Sequence, residues 1–140
     1  MSNKKIIIIN GPNLNLLGER EPEVYGSETL DDLENMVKDH LQKFNLNIDT
    51  FFFQSNSEGE LVNSIQDAGK KSDGLIINAG GLSHTSVSIL DALLAIKIPK
   101  VEVHISNLFT REEFRHSSYI SKGVNGIVCG FGLNGYLLAI

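Results

Sequence analysis

Short apolar runs alternate along this chain with segments in which apolar residues recur every three or four positions. The first run, Ile6 to Ile9, is unbroken, as suits a strand buried on both faces, and predicts a strand over Lys5–Asn10. Leu30, Leu33, Val37, Leu41 and Phe44 then fall on one helical stripe. Thr29 is placed to cap that helix, with Asp31 and Asp32 in the first turn, where the helix dipole favours them. Asn47–Gln54 reads as a second strand. Ser57 and Glu60 have capping-box spacing ahead of a helix carrying Leu61, Ile65 and Ala68. GLIIN (Gly74–Asn78) reads as a third strand, AGGLSH as its loop, and Ser86–Ile96 as a helix. VEVHIS (Val101–Ser106) reads as a fourth strand and REEF as a helical turn. GIVCG (Gly126–Gly130) reads as a fifth strand and Leu133–Ile140 as a closing helix.

Strands alternating with helices predict the α/β class: a flavodoxin-like, doubly wound, five-stranded parallel sheet with helices on both faces. The length of 140 residues suits one domain, residues 1–140. A formal net charge of −5 argues against bulk binding of nucleic acid or of an anionic membrane, since both need a basic footprint. Cys129 is the only cysteine, so no disulfide can close within the chain. The isoleucine run near the start is too short for a signal-peptide core or a membrane span. A reducing, cytoplasmic setting is expected.

Three strands run into polar residues. The first leads to Asn10 and Asn13. The third leads to Asn78, Gly80, Gly81, Ser83 and His84. The fourth carries Glu102 and His104 and ends at Ser106. Parallel connectivity brings such ends to one edge, where sites of this fold lie. The loop Gly11–Tyr25 lacks both glycine-rich phosphate patterns, G-x-G-x-x-G and G-x-x-x-x-G-K-[ST]. It is either a surface loop rich in turn residues or a long binding loop. Thr85 and Ser86 suit helix capping, and a helix start also attracts anions. His104 is either a satisfied core residue or a functional one oriented by Glu102, two positions away on the same strand face. His84, His104 and His116 lack metal-ligand spacing, so a metal centre is not expected. Ser83 or Ser86 with His84 and Asp91 lacks the G-x-S-x-G elbow of a hydrolase. Arg111 and Arg115 share a helical face, either solvated beside Glu112 and Glu113 or turned to a ligand. A non-catalytic module binding a small carboxylate or a flavin would share the fold, because fold alone does not decide function.

Five blocks tie these residues to a family: INGPNLNLLGEREPEVYG, QSNSEGELV, INAGGLSHTSVSILDAL, VEVHISN with REEFRHSSYIS, and the weaker GFGLNGYLLA. In one order and over nearly the whole chain, they resemble type II 3-dehydroquinate dehydratases (type II dehydroquinases). The resemblance implies a hydro-lyase of the shikimate pathway that converts 3-dehydroquinate to 3-dehydroshikimate without a cofactor, metal or lysine Schiff base. It implies Tyr25 as the base, Arg20 as the cation favouring its phenolate, and Asn13 as holder of a water against the enolate. It implies His104 as the general acid, oriented and charged by Glu102. Asn78, His84 and Arg115 match residues that bind substrate hydroxyls, and the amides of Ile105 and Ser106 match the carboxylate site. Arg111 falls at the site margin. Asp91 matches a residue that reaches a neighbouring subunit's site, which implies a homo-oligomer of trimers assembled into a dodecamer. Leu82, Leu90 and Gln66 depart from residues frequent in the family, and none of the three is a reacting group.

Overall fold

β1 (Lys4–Asn10) pairs on one side with β2 (Ile48–Gln54) and on the other with β3 (Gly74–Asn78) in a computed structural model that describes residues 3–140. β4 (Lys100–His104) and β5 (Gly126–Cys129) complete the sheet in the order β2-β1-β3-β4-β5, with every pair parallel. That is the flavodoxin-like strand order, and its switch point lies between β1 and β3.

The alternating pleat sends neighbouring isoleucines to opposite faces. Ile9 and Ile77 join a core with Leu61 and Ile65 of α3 (Glu58–Lys71) and Ile89 and Leu93 of α4 (Val87–Ala95). Ile8 and Ile76 join another with Leu33 and Val37 of α2 (Leu30–Lys43) and Tyr136 of α5 (Asn134–Ala139). Helices therefore cover both faces. Each fully buried aliphatic side chain contributes on the order of 2 kcal/mol.

Local signals account for the helix ends. Thr29 and Asp32 form the reciprocal capping box that opens α2, with His40 and Lys43 in its last turn. Phe44, on the predicted stripe, is more than half exposed. It is the C-cap residue, and the chain turns away at Asn45, whose φ is +52°. The box predicted at Ser57 is half formed: Ser57 Oγ accepts from Glu60 N at 3.3 Å. Ser55 Oγ takes both remaining groups, donating to Glu60 Oε2 at 2.6 Å and accepting from Ser57 N at 2.9 Å. The fourth strand ends at His104 rather than Ser106, because Ile105 and Ser106 already turn away from the ladder.

The loops after β1 and β3 interlock. Gly11 N donates to Asn78 O at 2.7 Å, and a Cβ on Gly11 would lie 2.5 Å from Ala79 O. Only glycine allows that approach.

Candidate active site

Asn10, Asn78 and His104 end their strands, and the register sets Asn10 directly beside Asn78. All three are almost wholly buried, so their polar groups need partners. α5 supplies one. The Tyr136 hydroxyl donates to Asn10 Oδ1 at 2.6 Å and accepts from Asn78 Nδ2 at 3.0 Å. Asn78 Oδ1 in turn accepts from Gly80 N at 3.2 Å. Complete burial pushes the Tyr136 phenol far above its ordinary pKa, so it stays a protonated donor and fixes both amides.

Glu102 and His104 share a face of β4, and His104 Nε2 contacts Glu102 Oε2 directly. Glu102 is completely buried. Burial alone would raise its pKa, but hydrogen bonds from His104, from Ser121 Oγ to Oε1 (2.6 Å) and from Ser118 Oγ to Oε2 (2.8 Å) bring it below the usual carboxylate range. A buried carboxylate so supported stays ionised and fixes the imidazole's orientation. The His84 ring stacks on His104 with centroids 6.2 Å apart, and its Nδ1 lies 2.8 Å from Ser117 O. Burial lowers the pKa of His84; the hydrogen bond to the Ser117 carbonyl acts against it, and the neighbouring His104 and Arg115 lower it further.

The loop after β1 forms the opposite wall. Asn13 sits in left-handed backbone (φ +70°), and its N–H donates to Asn56 Oδ1 at 2.9 Å. Gln54, which ends β2, braces the same loop by donating to Gly11 O at 3.2 Å. Tyr25 ends the short helix α1 (Pro22–Tyr25). Its ring centroid lies 5.1 Å from Arg20 Cζ and 5.2 Å from Arg111 Cζ. Arg20 is also paired with Glu21 at 3.3 Å.

Arg111 lies further inside than the margin expected for it: its side chain is mostly buried and donates to Ser106 Oγ at 3.2 Å. Arg115 is held by Glu112 at 2.7 Å and is likewise mostly buried, so neither arginine belongs to a solvated basic face.

One pocket is lined by Asn13, Arg20, Tyr25, Asn78, His84, His104, Ile105, Ser106, Arg111 and Arg115. Glu102 stands behind His104 as its partner. Asp91 alone is not brought there; it is exposed on α4. A wider depression between α2 and β2, near Lys38 and Asp49, has more room but no converging acid and base. Sequence reasoning assigned no role to Tyr136, Ser118 or Ser121. The signals were a phenol in an otherwise apolar final helix and the serine-rich stretch SSYIS. Among the described residues, no group of three or more His, Cys, Asp or Glu side chains is arranged to hold a metal ion.

A phenol between two guanidiniums faces a carboxylate–imidazole couple across the carboxyl edge of a 2-1-3-4-5 sheet. These features define an α/β protein of flavodoxin-like fold with titratable and cationic groups gathered in one small-molecule-sized pocket at the carboxyl edge of its sheet. The family described as Dehydroquinase class II matches residues 4–140. The chain belongs to that family, whose members are hydro-lyases. A 3-dehydroquinate dehydratase of Prochlorococcus marinus (strain NATL1A) is 51% identical over 135 residues, covering 96% of this chain and 92% of that protein. The crystal structure of the type II dehydroquinase from Butyrivibrio crossotus superposes with a TM-score of 0.93 at 45% identity, covering 98% of this chain and 94% of the other. That of the type II dehydroquinase from Propionibacterium acnes gives 0.90 at 40% identity, with 99% and 94% covered.

Proposed function

We propose that this chain, as a single catalytic domain, dehydrates 3-dehydroquinate to 3-dehydroshikimate with Tyr25 as base and His104 as acid. The observation that carries the assignment of roles is the convergence of Tyr25, flanked by Arg20 and Arg111, with the Glu102–His104 couple in one pocket. A phenol is a poor base while protonated, and nearby cations favour its phenolate. Arginine suits that task because it stays charged. Tyr25 takes a proton from the carbon next to the ketone, leaving an enolate. Asn13, on the same wall, holds a water against the enolate oxygen, where a preorganised donor stabilises developing charge. His104 then protonates the departing hydroxyl, and water leaves.

Asn78, His84 and Arg115 bind the substrate's hydroxyl groups. The turn at Ile105 and Ser106, with Arg111 beside it, takes the carboxylate. The three arginines give this pocket a positive character in a chain of net charge −5, as an anionic substrate requires.

Asp91 acts across a subunit boundary. It shares a face of α4 with Val87 and Leu94, both more than half exposed, and that apolar stripe suits burial against another copy of the chain. The assembly proposed is a trimer, four of which form a dodecamer, in the cytoplasm and within the shikimate pathway. No helix among the described residues is long and apolar enough to cross a membrane.

The assay follows the enone absorbance of 3-dehydroshikimate in the ultraviolet, with and without a chelator. Chelator-insensitive turnover is expected. Folded protein that gives no absorbance change refutes the activity, and loss of turnover with chelator refutes the metal-free course. Copurified flavin absorbance would support the binding-module reading instead.

A further inference from the structure

The segment Ser117–Ser121, in the connection between β4 and β5, contacts His84 directly and reaches His104 through its partner Glu102. The Ser117 carbonyl lies 2.8 Å from His84 Nδ1. A carbonyl can only accept, so Nδ1 carries a hydrogen and Nε2 is the nitrogen left for the pocket. Ser118 Oγ and Ser121 Oγ donate to the two oxygens of Glu102, whose remaining partner is His104. Ser118 Oγ also reaches Ser83 O at 3.3 Å, and Tyr119 N donates to Ser83 O at 2.8 Å. The segment is thereby pinned to the 3-10 turn Gly80–His84 that carries His84.

We propose that Ser117, Ser118 and Ser121 are positioning residues for the two stacked imidazoles: the Ser117 carbonyl fixes the Nδ1–H tautomer of His84, and Ser118 and Ser121 keep Glu102 ionised behind His104. In this arrangement His104 is an imidazolium backed by an ionised Glu102, and His84 is a neutral Nδ1–H tautomer. The inference rests on the dehydratase reading and deepens it. Glu102 is completely buried, so its charge persists only while its oxygens are fully supplied with donors. The two serines supply what His104 alone cannot. An ionised Glu102 takes the Nε2 hydrogen of His104, and His104 Nδ1 makes no hydrogen bond to the described residues, leaving that proton for the departing hydroxyl. Burial of His84 disfavours a second positive ring, and the His104 cation at 6.2 Å and Arg115 in the same pocket add to this, outweighing the Ser117 carbonyl and Glu102, which favour the charge. Neutral His84 then offers Nε2 as an acceptor for a substrate hydroxyl, a role an imidazolium cannot fill. Arg111 stands beside Ser106, and Arg20 and Tyr25 close the pocket from the loop after β1.

Nitrogen-15 NMR of the unmodified protein at pH 7 reads the proton positions directly, with His84→Gln and His104→Gln used to assign the rings. The expected pattern is a neutral Nδ1–H ring for His84 and a doubly protonated ring for His104. An Nε2–H or charged His84, or a neutral His104, overturns the proposal. Kinetics supply a second readout. Ser118→Ala and Ser121→Ala should each lower kcat about tenfold, with KM held within about twofold. The alkaline limb of the kcat profile should move down by about one pH unit, and Ser→Thr at either position should restore both values. A lower kcat with an unmoved limb would mean the serines only support the fold. The NMR pattern needs no substrate. If it is found while the protein fails to turn over 3-dehydroquinate, the activity has been misread and the proton arrangement stands.

Discussion

Tyr136→Phe removes one oxygen atom from the interior and leaves the ring's packing in place. That oxygen makes two hydrogen bonds, donating to Asn10 Oδ1 at 2.6 Å and accepting from Asn78 Nδ2 at 3.0 Å. Asn10 and Asn78 are themselves almost wholly buried, so neither freed group reaches water readily. A neutral hydrogen bond contributes about 1 kcal/mol net, and a buried group left without its partner costs about 1–3 kcal/mol. The variant should therefore lose about 3 kcal/mol, which a domain stable by about 5–15 kcal/mol survives folded. With a urea slope of about 2 kcal/mol/M, the midpoint should fall by roughly 1.5 M at fixed protein concentration. Asn78 would also lose the contact that fixes its amide. Because Asn78 is assigned to substrate binding and not to proton transfer, KM should rise about three- to tenfold while kcat stays within about threefold. A midpoint shift below about 0.3 M together with an unchanged KM would refute the claim that this phenol orders the site.

Glu102 has its carboxyl pKa below the ordinary value of 4.5, so it contributes stability that is present above about pH 4.5 and lost as pH falls through the lower, folded value. Glu102→Gln should flatten that acid limb in urea titrations at pH 3–6, and an unchanged limb slope would contradict the charged state assigned to Glu102. Gly11→Ala should destabilise by about 3 kcal/mol and raise KM, because its Cβ would strike the Ala79 carbonyl at 2.5 Å. Thermal unfolding checks it, and a wild-type midpoint would mean the two loops separate freely. Asp91→Asn should lower turnover without changing the fold, and mixing it with Tyr25→Phe should restore some activity if the two act across a boundary. Mixed oligomers with no recovered turnover would place Asp91 elsewhere.

Periodicity made the strands legible. GLIIN coincides with β3, and the apolar run at Ile6 to Ile9 lies within β1, because burial on both faces leaves an unbroken apolar signature. Glu102 with His104 was legible for the same local reason: a spacing of two puts both on one strand face. The long loop after β1 stood out by its length and lack of phosphate patterns, but the roles of Tyr25 and Arg20 came from family resemblance and not from spacing. Groups that meet across the fold left no local trace. Tyr136 bonds residues 126 and 58 positions away, and Ser118 and Ser121 reach Glu102 from a loop 16 and 19 residues further on. The spacing at Ser57 and Glu60 misled in part, because Ser55, two residues before the cap, competes for the same groups. Asp91 shows the remaining limit: one copy of the chain brings it near no acid or base of the pocket, so its role is legible only in an assembly.

The most direct measurement is turnover by Tyr25→Phe alongside binding of a substrate-like carboxylate by calorimetry. The ring and its two guanidinium neighbours remain, and only the proton-accepting oxygen is lost. Turnover should fall by about 10³-fold or more while the affinity changes by less than about threefold. Turnover within about tenfold of the unmodified protein would mean that another group removes the proton.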